Sequence, residues 1–178
     1  YMLPTLKLAS SQTENDSVIV VVKDGKDIRN IKSLSADESS FAQQQLDDKK
    51  NPVIINQYKR VLVVYKADSK NPPHLNLEAA RKAGDAIAGT LNRLKKERVN
   101  ISDVSGRADV ALALAEGIML GNYQFLKYRK EAEKEKNSLK EISIRGKKIT
   151  ATDVSKLNII CEATYRARDL VNEPQNSQ

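Results

Sequence analysis

The chain has 178 residues, enough for one compact domain with a sizeable core and too few for a second independent one. Hydrophobic residues make up 40% and charged residues 30%, with both signs interspersed, which excludes a disordered polyelectrolyte; a net charge of +7 admits an acidic partner such as nucleic acid without establishing one. The single cysteine, Cys161, excludes an intrachain disulfide and suits a reducing cytoplasm, and no leader-like start or run of roughly 18 apolar residues points to export or a membrane span.

Tyr1 in place of a methionine and the plain end at Gln178 read as the bounds of a segment cut from a longer chain. Residues 18–22 are five successive β-branched residues closed by the Asp24-Gly25 turn signal, the pattern of a strand buried on both faces at the centre of a sheet. Residues 36–46 are polar and strand-averse; Ser35 and Glu38 stand at capping-box spacing, so the segment is expected as a short helix. Residues 52–55 and 61–65 return to strand character, either as a hairpin or as two neighbouring strands.

Asn71-Pro72-Pro73 is a loop signal, after which Leu77, Ala80, Gly84, Ile87, Leu91 and Leu94 recur at helical spacing opposite a charged face. A strand over residues 99–104 follows. In residues 107–121 apolar side chains point in nearly every direction, which predicts a helix buried on most sides. The charged run 131–136 reads as a solvated loop or helix end, and a strand is expected around 142–144, ending at Gly146. Asp153 is the expected cap of a last helix, in which Val154, Leu157, Cys161 and Thr164, with Ile160, Ala163, Ala167 and Val171, form an apolar stripe stopped by Asn172-Glu173-Pro174. Strands alternating with such helices predict a three-layer α/β domain with a mostly parallel central sheet flanked by helices.

Few residues offer chemistry. His74, the only histidine, follows two prolines in an expected surface loop, and Cys161 falls on a buried helix face where a thiolate is not stabilised. One histidine and one cysteine cannot build a zinc site, and no glycine-rich phosphate loop occurs, so no catalytic, cofactor-binding or metal-binding residue is assigned in this chain. The Asn-x-Ser triplets at Asn15 and Asn100 have meaning only in a secretory pathway. Basic residues gather at Arg81, Lys82, Arg93, Lys95, Lys96 and Arg98, and of these Arg93, Lys95 and Lys96 are the candidate contacts for a nucleic-acid backbone. Aromatic residues are too scarce to favour a single-strand stacking platform.

Two stretches carry a family resemblance. Residues 115–129, with Gly117, Leu120-Gly121, Tyr123, Phe125 and Tyr128, resemble the late N-domain helix of M17 leucyl aminopeptidases, also called cytosol aminopeptidases. Residues 167–176, Ala-Arg-Asp-Leu-Val-Asn-Glu-Pro-Gln-Asn, resemble that family's domain junction. The glycines also have an architectural reading, since Gly117 and Gly121 share one helix face and let another element approach closely. The resemblance implies a macro-domain-like N-terminal domain over residues 1–171, a linker beginning at 172–178, and a separate C-terminal catalytic domain. That partner domain would hold two divalent metals, Zn or Mn, and remove N-terminal amino acids from peptides. It further implies a cytoplasmic homo-oligomer, a hexamer, in which this domain serves assembly, regulation or DNA binding. The fold likeness alone raises a free-standing ligand-binding domain as another alternative.

Overall fold

The computed structural model describes residues 3–9, 15–67 and 70–174. The elements run β1 (Thr5–Leu8), β2 (Ser17–Val22), a 3-10 helix (Gly25–Asn30), α1 (Ala36–Asp47), β3 (Val53–Asn56), β4 (Val61–Lys66), α2 (Pro73–Arg93), β5 (Arg98–Asp103), α3 (Ala108–Gly121), the single turn α4 (Ala132–Glu135), β6 (Glu141–Gly146) and α5 (Ala151–Asn172). They build one six-stranded sheet in the order β1-β6-β5-β2-β4-β3. Every neighbouring pair is parallel except β3 with β4. The fold is therefore the mostly parallel α/β arrangement expected, and the 52–65 region resolves as a hairpin on the sheet edge.

Strand alternation divides the core in two. Ile19 and Val21 of β2, with Val61, Val63 and Tyr65 of β4, face the layer of α2, α3 and α5. Val18, Val20, Val22, Leu62 and Val64 face the other way, toward α1 and the 3-10 helix. Both faces of these central strands are buried, which is why their sequences are unbroken apolar runs. The second layer stops there: β5 and β6 put Asn100, Ser102, Ser143 and Arg145 on that side, with Arg145 donating to the Ser102 hydroxyl at 3.1 Å. Three layers thus cover β2 and β4, whereas β3 is buried only on the α1 side, with Ile54 and Asn56 exposed, and β1, β6 and β5 have a helical layer on one side only. Asn100 is buried, so its Asn-x-Ser triplet is hidden in the folded chain.

Local capping explains several boundaries. Ser35 and Glu38 form the expected reciprocal capping box on α1. At α5 the cap is Thr150, one turn earlier than the expected Asp153; Asp153 sits at the third helical position and accepts from the Thr150 backbone, so a threonine and an acid share the work assigned to the acid alone. His74 is likewise not in a loop but in the first turn of α2, which starts at Pro73 because proline lacks only an N–H the first turn cannot use. Asp24 opens the 3-10 helix rather than a simple turn. The charged run 131–136 contains the one-turn α4.

β1 was not signalled by its sequence, because Thr-Leu-Lys-Leu is short and only half apolar. It is held from outside: β6 pairs with it, and the Asn158 amide of α5 both accepts from the Leu6 N–H (3.3 Å) and donates to the Leu6 carbonyl (2.9 Å). The helical layer itself is set by glycine. A Cβ on Gly84 would strike the Leu114 carbonyl, and one on Gly117 the Arg81 carbonyl, so α2 and α3 cross almost backbone to backbone. Gly121 similarly lies against Asp85. The close approach expected for the Gly117 face is thus to α2.

The α5 stripe needs the main correction. Val154, Leu157, Cys161 and Tyr165 are buried against α3 and the sheet, but Ile160, Ala163, Ala167 and Val171 are exposed. Helical spacing puts these two sets on opposite sides of one helix, so α5 is apolar on two faces and only one meets this domain's core.

Candidate functional site

The two family-like stretches, roughly forty residues apart in sequence, meet where α3 ends and α5 ends. Tyr165 donates its hydroxyl to the Met119 carbonyl at 2.6 Å, inside the core. One turn on, Arg168 donates to the Leu120 carbonyl (2.9 Å) and lies 5.3 Å from the Tyr123 ring centre, while Tyr123 meets Tyr165 edge to face at 5.0 Å. The Tyr123 hydroxyl donates to Asp169 (2.8 Å) and accepts from the Asn172 amide (3.0 Å). Beyond it, Lys127 (2.5 Å) and the Tyr128 hydroxyl (2.7 Å) both bind the Glu173 carboxylate. The Met119 and Leu120 carbonyls at the end of α3 thereby gain side-chain donors from α5, and the C-terminal part of α5 is fixed at four successive levels.

The electrostatics follow the geometry. Burial, then the neighbouring Asp169 carboxylate, raise the Tyr123 pKa above the ordinary phenol range, against a lowering contribution from the Asn172 hydrogen bond. Lys127 and the Tyr128 hydroxyl hold Glu173 below the usual carboxylate range, and Lys127 is raised in return. Burial pushes the Cys161 thiol up to about 12, helped by the Glu116 charge, which makes it an inert core group as its sequence position suggested. A cavity of about 400 Å³ opens beside the junction, lined among others by Phe125, Leu126, Lys136, Asn137, Asp169 and Glu173. Asp169, Glu173 and Lys127 stood in the quoted stretches without assigned roles. Tyr165, Arg168, Asp169 and Asn172 recur at three- and four-residue steps, so one polar-tipped helix side was the available signal.

The basic candidates lie at the far end of α2. Arg93 closes α2 and Lys95 and Lys96 follow it, with Lys96 engaged internally, donating to the carbonyls of Tyr58 (3.3 Å) and Lys59 (2.8 Å) in the β3–β4 turn. The Tyr58 side chain beside this clamp is 93% exposed. Arg98 and Lys140 nearby are paired with Asp16 and Glu97.

At the carboxyl ends of β2 and β5, where an open parallel sheet can hold a ligand, the backbone is folded down: the N–H groups of Val104 and Ser105 both bind the Val21 carbonyl at 3.0 Å. Asp103 there accepts from the Ser105 N–H and hydroxyl through one oxygen, and its second oxygen is buried without a partner. Among the described residues no group of three or more His, Cys, Asp or Glu is placed to hold a metal ion. Among the described residues no helix is long and apolar enough to cross a membrane.

Comparison with known proteins agrees with this geometry. Residues 51–132 match the family model described as the cytosol aminopeptidase family, N-terminal domain. A probable cytosol aminopeptidase of Aquifex aeolicus is 36% identical over 97 residues, covering 51% of this chain and 19% of the relative. The chain spans about a fifth of the length of the curated relatives it matches. Among solved structures, a mutant of tomato leucine aminopeptidase superposes over 100% of this chain and 39% of that one, with a TM-score of 0.66 at 15% identity. The bottromycin maturation enzyme BotP in complex with Mn gives 0.58 at 22% identity, covering 90% and 32%. An Oceanobacillus iheyensis macrodomain with ADP gives 0.55 at 11% identity, covering 91% of each chain. These structural likenesses establish the fold, an α/β domain of macrodomain type, and the sequence matches identify residues 51–132 as similar to the N-terminal domain of the cytosol aminopeptidase family.

Proposed function

We propose that this chain is the accessory, non-catalytic N-terminal domain of a metal-dependent leucyl aminopeptidase, acting through how it directs and assembles the catalytic half. The observation that carries the reading is the junction: Tyr123, Arg168, Asp169 and Glu173 fix the end of α5, the point from which a following domain would be held in a set direction. On this reading residues 1–171 form the domain and 172–178 begin the linker. The catalytic half would bind two divalent ions, Zn or Mn, and use metal-activated water to release N-terminal amino acids. The working enzyme would be a cytoplasmic homo-oligomer, a hexamer. A deletion test separates this from a decorative role. Removing residues 1–171 from the whole gene product should change its assembly state and its hydrolysis of a leucine chromogenic substrate; both unchanged would refute the accessory role.

A second reading, DNA binding, is favoured by one feature: exposed Tyr58 stands next to Lys59 and Lys96, with Arg93 and Lys95 close to Lys96 in the chain. Replacing Lys59 and Lys95 by alanine should weaken DNA retention and flatten its salt dependence by about 0.9 per lost phosphate contact, Lys96 being avoided because it holds the turn. Unchanged binding would remove this surface as the site.

A further inference from the structure

The cavity of about 400 Å³ beside the junction is lined by the end of α5 and by the segment 122–137. That segment is tied to itself: the Asn137 side chain donates to the Asn122 carbonyl (3.0 Å), and the Gln124 amide donates to the Glu135 carbonyl (2.9 Å) while accepting from the Asn137 N–H (2.7 Å). The space is therefore preformed, and its volume lies at the small end of the range of small-molecule sites. Phe125, Leu126 and Ala132 give it an apolar lining, among which stand charges of both signs. We propose that this cavity binds a free α-amino acid with an apolar side chain, held as its zwitterion between Asp169 and Lys136.

The bonds already made select those two residues. Glu173 is spent, one carboxylate oxygen on Lys127 and the other on the Tyr128 hydroxyl, and Lys127 is spent with it. Asp169 gives one oxygen to the Tyr123 hydroxyl (2.8 Å), and its second, Oδ2, takes no hydrogen bond from the described residues. Lys136 has only an ion pair at 4.0 Å with Glu133, whose side chain is 90% exposed. The lining thus keeps one anionic acceptor on α5 and one cationic donor on the segment 122–137. A lone anion or cation would match one of the two and face the other uncompensated, whereas a zwitterion meets both, and charges leave water only when paired. The ammonium of a free α-amino acid donates to Asp169 Oδ2, its carboxylate accepts from Lys136 Nζ, and its side chain is left for Phe125 and Leu126. An internal stretch of polypeptide has neither charge on its backbone, so chain following Glu173 would need two suitably placed charged side chains to do the same.

Free amino acids are what the proposed hydrolysis would release, so the site's role in placing a product against the junction rests on the accessory-domain reading, while binding itself does not. Titrating the chain with leucine, followed by amide NMR, should give saturable shifts centred on Phe125, Lys136, Asn137 and Asp169, with a dissociation constant on the order of millimolar or tighter. Lys136→Met and Asp169→Asn should each weaken binding about tenfold or more with the far-ultraviolet spectrum unchanged, the asparagine keeping an acceptor for the Tyr123 hydroxyl. N-acetyl-leucine amide, which lacks both charges, should not compete. Absence of saturable shifts, equal binding of the blocked compound, or indifference to both variants would each overturn the proposal and leave the accessory role, tested by deletion, standing. In the metal-free product of the whole gene, leucine retention should also fall with Lys136→Met; no fall would mean that the following domain fills the cavity, and would overturn the proposal as well.

Discussion

The two faces of α5 are nearly equal in apolar content and opposite in fate. The inner one, Val154, Leu157, Cys161 and Tyr165, is buried beneath α3 and the sheet, and its tyrosine hydroxyl is spent on the Met119 carbonyl. The outer one, Ile159, Ile160, Ala163, Ala167, Leu170 and Val171, is exposed. Helical periodicity locates an apolar face but does not say which surface will cover it; here one face is buried within this domain and the other is left uncovered.

Mutations should separate the two faces cleanly. Tyr165→Ala removes a fully buried ring and should cost about 4 kcal/mol, whereas Ile160→Ala on the outer face should stay within about 0.5 kcal/mol in dilute solution, both read by urea unfolding. Equal costs would erase the distinction. The neighbouring helix pair supplies the next largest effect. Gly117→Ala drives a methyl into the Arg81 carbonyl and should cost about 3 kcal/mol, while Gly89→Ala, on the same layer but with nothing within 4 Å of its added Cβ, should stabilise by about 0.5–1 kcal/mol.

Tyr123→Phe tests the junction at the inner face's far end. It removes the hydroxyl shared by Asp169 and Asn172 and should cost about 1 kcal/mol, with faster amide exchange confined to the last turn of α5. The last test is in pH. Because burial raises the Cys161 pKa to about 12, its contribution is fully present below the unfolded thiol's range and is lost as pH rises through about 12. Wild type should therefore lose stability more steeply than Cys161→Ala on the alkaline side. Parallel curves would mean the thiol is less buried than its position indicates.

The central strands were legible because burial on both faces leaves unbroken β-branched runs, and α3 because its apolar residues point everywhere. β1 was not, since its place depends on Asn158 and β6, more than 130 residues away. The cap of α5 was displaced by one turn because threonine and aspartate at capping-box spacing each look like a cap from sequence alone. For the candidate site, the two stretches that matter could be named from their residues, but their meeting could not. The contacts among Tyr123, Lys127, Tyr128, Asp169 and Glu173 depend on where α3 and α5 end relative to each other, which the glycine crossing of α2 and α3 helps to set.

The most direct test of the whole account is hydrolysis of a leucine chromogenic substrate with added manganese or zinc, measured on this chain and on the product of the full gene. Activity in the longer product alone is the predicted result, consistent with a chain whose described residues gather no metal-binding cluster. Metal-dependent turnover by the 178-residue chain itself would contradict it.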